Sequence, residues 1–245
     1  MERHIYEDMN RLERSHWWFL ARREILAKVI SRYVKPKAAV LDIGCGTGFV
    51  IERLRDDYEV HGLEPAEVAV EFCHAKGLPN VHLGLLGVTD VGRRDFDLVT
   101  FLDVIEHVDD DVGMLKLARS MLRDDGLVLV AVPAYQFLWS QHDVVHHHRR
   151  RYTRASLEAV IREAGYEPIE TTYFNTLLFP LIFGARMLGK LLGKAAPSDA
   201  QQPPELVNKI LYTAFAAEKR ILPDVNLPFG VSLMCIARKR ARGQG

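Results

Sequence analysis

Short apolar runs alternate with longer amphipathic stretches along the first three quarters of the chain. The runs are of strand length and mostly apolar, which is typical of strands buried in a parallel sheet. They lie at 38–43, 58–63, 80–84, 96–102, 126–132 and 166–174. Helical spacing of apolar residues is found at 49–55, 66–76, 109–123 and 154–164. This alternation predicts βαβ units and therefore an α/β fold with a Rossmann-like, doubly wound sheet.

Both ends of the chain depart from this alternation. Apolar and aromatic residues recur between charges over 5–34, which predicts a helix that ends before Pro36. Residues 176–222 have an apolar helical pattern, and a seventh strand is predicted at 229–238. We therefore expect a helical entry segment, a sheet-forming core, a helical cap inserted before the last strand, and that strand with a basic tail. Their predicted bounds are 1–37, 38–175, 176–228 and 229–245.

Composition limits the classes of protein to consider. The chain has 245 residues, enough for one α/β domain and too few for two large ones. Its 32 Lys and Arg residues balance 32 Asp and Glu residues, so no overall field favours nucleic acid. Three distant cysteines form neither a disulfide framework nor a zinc-ligand spacing, and the first residues do not resemble a signal peptide. These features predict a cytoplasmic protein.

Three glycines, Gly44, Gly46 and Gly48, follow the first strand at the turn into a helix. Glycine permits positive φ and lets a ligand approach the backbone. Dinucleotide-binding proteins use a different spacing here, G-x-G-x-x-G. Asp42, two residues earlier, would repel a pyrophosphate but attract the cationic amino group of S-adenosylmethionine. Glu64, after the second strand, is an acid that would accept hydrogen bonds from ribose hydroxyls.

These residues carry a resemblance to a known family. Residues 40–48, Val-Leu-Asp-Ile-Gly-Cys-Gly-Thr-Gly, resemble the first motif of class I S-adenosylmethionine-dependent methyltransferases. Residues 95–108 and 122–130 are similar to the fourth and fifth strands of that family with their adjoining loops. The resemblance implies a seven-stranded sheet and S-adenosylmethionine as cofactor. Together with the residues themselves, it predicts a cofactor-binding set of Trp18, Arg22, Asp42, Gly44, Cys45, Gly46, Gly48, Glu64, Pro65, Leu85, Leu86 and Asp103.

Flanking segments narrow the resemblance to a bacterial subfamily of methyltransferases, which does not indicate a particular substrate. The subfamily shares a Trp-Trp-Phe entry, here 17–19, an Asp-x-x-Glu-His loop, and a His-x-Arg-Arg-Tyr segment, here 148–152. Trp18 either packs in the core or lines a pocket. Arg22 either neutralises the methionine carboxylate or is a solvated helix charge. The loop after the third strand departs from the family because it lacks the polar residue often found there. Leu85 and Leu86 of this loop are expected to enclose the adenine ring.

The Asp-x-x-Glu-His loop supplies the candidates for proton handling: Asp103, Glu106 and His107. On a helical turn the three would share one face, and the alternative is local pairing beside the next helix. The loop also resembles the Glu-x-x-Glu-His loop of ubiquinone-pathway O-methyltransferases. That resemblance implies a divalent ion (Mg²⁺, Mn²⁺ or Zn²⁺) held by the same three residues, with Asp103 one methylene shorter than the glutamate. Asp143 or His148 is expected to complete the shell, and His148 is a further catalytic candidate.

Two further segments concern the acceptor. The basic run 146–151 is either a solvated loop or a site for a small anionic acceptor. The apolar stretch 173–192 contains Pro180, Gly184 and two cationic residues, so a transmembrane span is not expected. It is either a cap helix or an interfacial helix that meets a lipid-linked acceptor, with peripheral membrane contact.

The sequence thus predicts methyl transfer from S-adenosylmethionine to an oxygen of a small or lipid-linked metabolite, without a nucleic-acid partner. Two alternatives remain: a non-catalytic cofactor-binding module and a nucleic-acid methyltransferase. Residues 103–106 do not match the Asn/Asp-Pro-Pro-aromatic motif of amino-methylating enzymes.

Overall fold

One mixed sheet forms the centre of the molecule. The computed structural model describes residues 3–191, 202–222 and 224–240, so parts of the predicted insertion and basic tail (192–201, 223 and 241–245) lie outside the described residues. The seven strands run in the order β3-β2-β1-β4-β5-β7-β6, and β7 is antiparallel to both of its neighbours. Strands β1 to β7 are Ala39–Ile43, Glu59–Glu64, Val81–Leu83, Phe96–Leu102, Leu122–Pro133, Tyr166–Phe174 and Ser232–Lys239. The predicted Rossmann-like, doubly wound sheet is confirmed.

Helices cover both faces of this sheet. Alternate strand residues point to opposite faces, so Val40 and Leu98 join one core cluster while Leu41 and Val99 join the other. Helices α2, α3, α4 and α9 pack on the first face, and α5 and α7 on the second. Helices α1 to α9 are Arg3–Leu12, Trp17–Tyr33, Phe49–Leu54, Glu67–Ala75, Asp111–Ala118, Gln141–Val145, Arg154–Glu163, Phe179–Leu191 and Glu205–Ala217. Among the described helices, none is long and apolar enough to cross a membrane.

The entry segment is two helices, so the prediction of a single helix over 5–34 is wrong. The chain breaks at 13–16, between α1 and α2. Glu13, which is buried, accepts hydrogen bonds there from the Thr47 hydroxyl and the Lys76 ammonium. These partners come from the residue after α4 and from the loop after β1, so tertiary contacts end α1 where the local pattern would continue it.

Helix α5 is shorter than the predicted helix over 109–123, and the predicted C-terminal end of that helix is wrong. It ends at Ala118, and β5 begins at Leu122. Leu122 pairs with Phe96 before a register shift in the β4–β5 pairing, so this part of the chain is drawn into the sheet. Helix α7 begins after Thr153, whose side chain caps it by accepting a hydrogen bond from the backbone N–H of Ser156.

Helices α8 and α9 lie between β6 and β7. The fully buried Glu218, just after α9, accepts hydrogen bonds from the backbone N–H groups of Asn175 (2.7 Å) and Leu177 (2.8 Å). Asn208 of α9 accepts a hydrogen bond of 2.9 Å from the backbone N–H of Trp17, at the start of α2. One carboxylate and one amide therefore fix the insertion to the end of β6 and to the entry helices.

We expect Glu218→Ala to lower the free energy of unfolding by about 3 kcal/mol, because it leaves the N–H of the buried Asn175 and that of Leu177 without their acceptor. Urea denaturation followed by circular dichroism measures this. Glu163→Ala, at an exposed position in α7, is the matched control and should stay within about 0.5 kcal/mol of wild type. Equal losses in the two variants would contradict this role of Glu218.

Candidate active site

The glycine loop joins β1 to α3 at the carboxyl edge of the sheet. Gly44, Gly46 and Gly48 have φ values of 67°, 56° and 82°. A Cβ at Gly44 would lie 2.7 Å from a methyl group of Val104, so glycine is needed there for space as well as for conformation. Cys45 is partly buried between the first two glycines. The loop therefore brings backbone, rather than bulky side chains, to this edge.

Two buried acids flank the glycine loop. Asp42, near the end of β1, is 3% exposed and accepts a 2.6 Å hydrogen bond from the Thr100 hydroxyl. Burial raises the pKa of Asp42 to about 7, although that hydrogen bond and the charge of Arg22 act in the opposite direction. Glu64, which ends β2, accepts a 2.9 Å hydrogen bond from the Gly46 N–H, and burial raises its pKa. The carboxyl edge of the sheet thus holds two desolvated carboxyl groups beside the glycine loop.

Helix α1 covers the glycine loop and Glu64. The Tyr6 hydroxyl donates to the Glu64 carboxylate at 3.3 Å. A Cβ at Gly46 would lie 3.7 Å from the terminal methyl of Met9. Neither contact has a local signal in the sequence, because both depend on how α1 folds back over the sheet.

Arg22 extends from α2 to the same edge. Its Nη2 lies 2.9 Å from Oδ2 of Asp103, and its guanidinium is 5.2 Å from the centre of the Trp18 ring. Arg22 is 6% exposed, so it is not a solvated helix charge. Asp103 follows β4 with φ of 60°, an uncommon conformation outside glycine that aspartate tolerates. Arg22 therefore contacts both Trp18, on the same helix, and Asp103, directly after β4.

Glu106 and His107 lie in a single 3₁₀ turn, Ile105–His107. The expectation of one helical turn that includes Asp103 is wrong, because Asp103 precedes the turn in a left-handed conformation. Glu106 is fully buried, and neither of its carboxylate oxygens has a hydrogen-bond partner. Burial and the charge of Asp103 raise its pKa well above the ordinary range. Burial and the neighbouring imidazoles, His148 first, lower the pKa of His107 to about 4.

His148 completes a cluster with this turn. One ligand-type atom from each of Glu106, His107 and His148 lies within 4.8 Å of the other two. The Nδ1 atom of His148 is 2.8 Å from Oδ1 of the fully buried Asp143. Arg151 donates to both Asp143 oxygens, at 2.7 and 2.9 Å. Within the part of the chain that the structure describes, this trio is the one whose spacing suits a metal ion.

The arginines of the basic run are paired inside the chain. Arg149 forms an ion pair with Asp109 and donates to the carbonyl oxygen of His107 at 2.9 Å. Arg150 lies 3.1 Å from the Asp111 carboxylate. The third arginine binds Asp143, as described above. Because each guanidinium already has an acid of its own, this geometry does not favour the predicted site for an anionic acceptor.

Aromatic side chains line the region beyond β5. Tyr135 stacks on Phe137 and on Tyr173, with ring centres 4.9 and 5.0 Å apart. Phe179 and Phe183 extend the cluster along α8. Phe137 is 46% exposed, so part of the cluster presents an open apolar surface.

The remaining predicted residues lie in the loops after β2 and β3. Pro65 is exposed directly after Glu64. Leu85 is 57% exposed, whereas Leu86 is partly buried and packs against the core. Leu85 is therefore the more accessible of the two leucines at this edge.

Comparison with known proteins agrees with these features. A family described as "Methyltransferase domain" matches residues 18–171, more than half of the chain. The curated relatives include ubiquinone biosynthesis O-methyltransferases. That of Bradyrhizobium diazoefficiens is 36% identical over 97 residues, which cover 38% of this chain and 38% of that protein. That of Haemophilus ducreyi is 28% identical over 117 residues, which cover 40% and 49%. The matches thus span less than half the length of these relatives.

Solved structures share the fold at low identity. A methyltransferase of Haloferax volcanii, solved with the Trm112 methyltransferase activator, has a TM-score of 0.63 and 17% identity, and the match covers 98% of this chain and 95% of that one. An S-adenosylmethionine-dependent methyltransferase of Archaeoglobus fulgidus has a TM-score of 0.56 and 21% identity, with coverage of 89% and 94%. By family and by fold, the chain belongs to the class I S-adenosylmethionine-dependent methyltransferases.

Proposed function

We propose that the chain transfers the methyl group of S-adenosylmethionine to an oxygen of a small or lipid-linked metabolite. The observation that carries this proposal is the state of Glu106, whose carboxyl group is fully buried and has no hydrogen-bond partner. Glu106 and His107 lie in the same 3₁₀ turn. An acceptor hydroxyl needs a group that takes its proton, and these two side chains lie next to the carboxyl edge of β4.

The cofactor is proposed to lie across the carboxyl ends of β1, β2 and β4. Asp42 would attract its amino group, and Glu64 would exchange its Gly46 hydrogen bond for the ribose hydroxyls. Arg22, near Trp18, is placed to meet the methionine carboxylate, in competition with its present partner Asp103. The three glycines and Cys45 would allow close approach of the backbone, and Pro65, Leu85 and Leu86 would border the adenosine.

In the proposed reaction the acceptor oxygen attacks the methyl carbon while the carbon–sulfur bond breaks. S-adenosylhomocysteine leaves with that electron pair, and in the metal-free site the hydroxyl proton passes to a base at Glu106 or His107. Orientation and exclusion of water supply much of the rate in such a displacement. The burial of Glu106 and the cover from α1 support a site of this kind.

A divalent metal is a further part of the proposal. From the sequence, Asp103, Glu106 and His107 are its expected ligands, and the unpartnered Glu106 oxygens fit such a role. Bound there, a metal ion would supply a Lewis acid for the acceptor oxygen.

The acceptor is proposed to carry an apolar portion. The cluster of Tyr135 and Phe137 with the aromatic residues of α8 is partly exposed beyond β5. Leu181 and Leu188, on the same helix, are 63% and 57% exposed, which adds apolar surface. The arginines of the basic run are paired with acids, so this run does not present unpaired cations to a polynucleotide. An apolar ring or chain therefore fits this surface better than a nucleic acid does.

Transfer of a ¹³C-labelled methyl group tests the proposed reaction. The chain, labelled S-adenosylmethionine and a panel of phenols, catechols, prenylated phenols, amines and RNA should yield label on oxygen, which the ¹³C chemical shift of the product identifies. Glu106→Gln should lower turnover by about 100-fold because proton removal is lost. His147→Asn, at an exposed neighbour, should keep wild-type turnover. Label on nitrogen or RNA, or tight cofactor binding without any product, would contradict the proposal.

Cofactor affinity should depend on pH through Asp42. Its pKa of about 7 lies above that of an unfolded aspartate, so the folded protein binds an extra proton at pH 6, which a cationic ligand must displace. We expect S-adenosylhomocysteine to bind about tenfold more weakly at pH 6 than at pH 8, measured by calorimetry. Asp42→Asn should bind weakly at both pH values with little difference between them. A full tenfold dependence in that variant would assign the effect to another group.

A further inference from the structure

We propose that Glu106, His107 and His148 form a two-histidine, one-carboxylate site for a divalent transition metal, with Asp143 and Arg151 as positioning residues. The site differs from the set expected from the sequence, because His148 takes the place of Asp103. Metal binding at these atoms does not require the proposed reaction, although the use of the metal in catalysis rests on it.

The first step in the argument is the state of Glu106. A buried carboxylate without partners is strongly unfavourable, so it must be neutral or must bind a cation. Both of its oxygens lack hydrogen-bond partners, so no protein donor stabilises either form. Two imidazoles supply nitrogen atoms within 4.8 Å of a Glu106 oxygen. Two imidazoles and one carboxylate at this spacing are a ligand set for a metal ion.

The second step is the orientation of His148. Its Nδ1 faces Asp143 at 2.8 Å, which leaves Nε2 as the free ring nitrogen. Histidines that bind metals commonly donate their other N–H to a carboxylate, which fixes the tautomer and the ring. Asp143 is itself fixed by two hydrogen bonds from Arg151 and by a 2.7 Å bond from the Ser140 N–H. His148 is therefore held in advance by a chain of buried polar contacts.

The third step concerns the competing side chains. Asp103 is directed to Arg22 at 2.9 Å, so its carboxylate already has a cation. His142 and His146 lie 4.1 Å apart by ring centres, and 5.8 and 6.1 Å from the ring of His148. Neither belongs to a three-residue ligand group among the described residues.

The donor set selects the class of metal. Mg²⁺ and Ca²⁺ prefer oxygen ligands, whereas imidazole nitrogen favours Zn²⁺, Fe²⁺, Co²⁺ and similar ions. Two nitrogens and one carboxylate leave coordination positions for acceptor oxygens. We therefore expect Zn²⁺ or Co²⁺ to bind in the presence of a large excess of Mg²⁺.

Native mass spectrometry and Co²⁺ absorption test the site on the untagged full chain, after chelation and exchange. We expect one Zn²⁺ or one Co²⁺ per chain, with a Co²⁺ spectrum that Zn²⁺ abolishes and millimolar Mg²⁺ does not. His148→Ala and Glu106→Gln should each remove this binding. Asp143→Asn should weaken it by about 10- to 100-fold while the ratio stays one to one.

Two matched controls separate this site from other histidines and from the sequence expectation. His147→Asn changes an exposed histidine beside the cluster, and the left-handed conformation there accommodates asparagine. Asp103→Asn removes the carboxylate that pairs with Arg22. Both should bind Zn²⁺ within about threefold of wild type, a change of well under 1.4 kcal/mol. A large loss in Asp103→Asn would restore Asp103 as the third ligand and overturn the assignment.

S-adenosylhomocysteine added to the same samples keeps the two proposals distinct. A cofactor adduct without any transition-metal adduct overturns the metal site and leaves the proposed methyl transfer standing. Metal binding that persists in both His148→Ala and Glu106→Gln places the ion elsewhere and overturns it as well. Circular dichroism of each variant confirms that a lost adduct does not come from unfolding.

Discussion

The accumulation of acids at one edge of the sheet is the constraint on which this site depends. Asp42, Glu64 and Glu106 are buried there, and Asp103 lies beside them. Arg22 is a buried cation that offsets part of this charge, and its field lowers the pKa values of Asp42 and Glu106 against the effect of burial. Desolvated like charges raise each other's pKa, so such an arrangement favours cationic ligands. The ammonium and sulfonium groups of the proposed cofactor fit this requirement.

Much of the fold could be predicted because buried parallel strands are apolar along their whole length. The core strands and the glycine turn are therefore visible in the sequence itself. The break at 13–16 was missed because partners distant in sequence create it: Glu13 lies within a polar stretch that suits a helix surface, yet it is buried against Lys76. The early start of β5 was missed for a similar reason, since pairing with β4 overrides the local preference of Leu122.

The candidate site shows the same division between local and distant information. Spacing within one loop was enough to single out Glu106 and His107, because both lie in one turn. It could not show that Asp103 pairs with Arg22, because that pairing depends on a left-handed residue and on a side chain from another helix. An aspartate five residues before His148 was a local signal for their pairing. The sequence does not show that Arg151 also binds this aspartate and so holds it in position for His148.

The segment after β5 has a structural task that explains its unusual charge. The Arg149 N–H donates to the carbonyl oxygen of Glu106 at 2.8 Å, and the Arg150 side chain donates to two carbonyl oxygens just beyond that turn. The Tyr152 hydroxyl donates to Asp111 at 2.8 Å. The basic run thus holds the turn of Glu106 and His107 against the loop that carries His148. Because these bonds use the arginines, the proposed recognition of the acceptor rests on the apolar surface near Tyr135, and the charges of the basic run position the turn of Glu106 and His107.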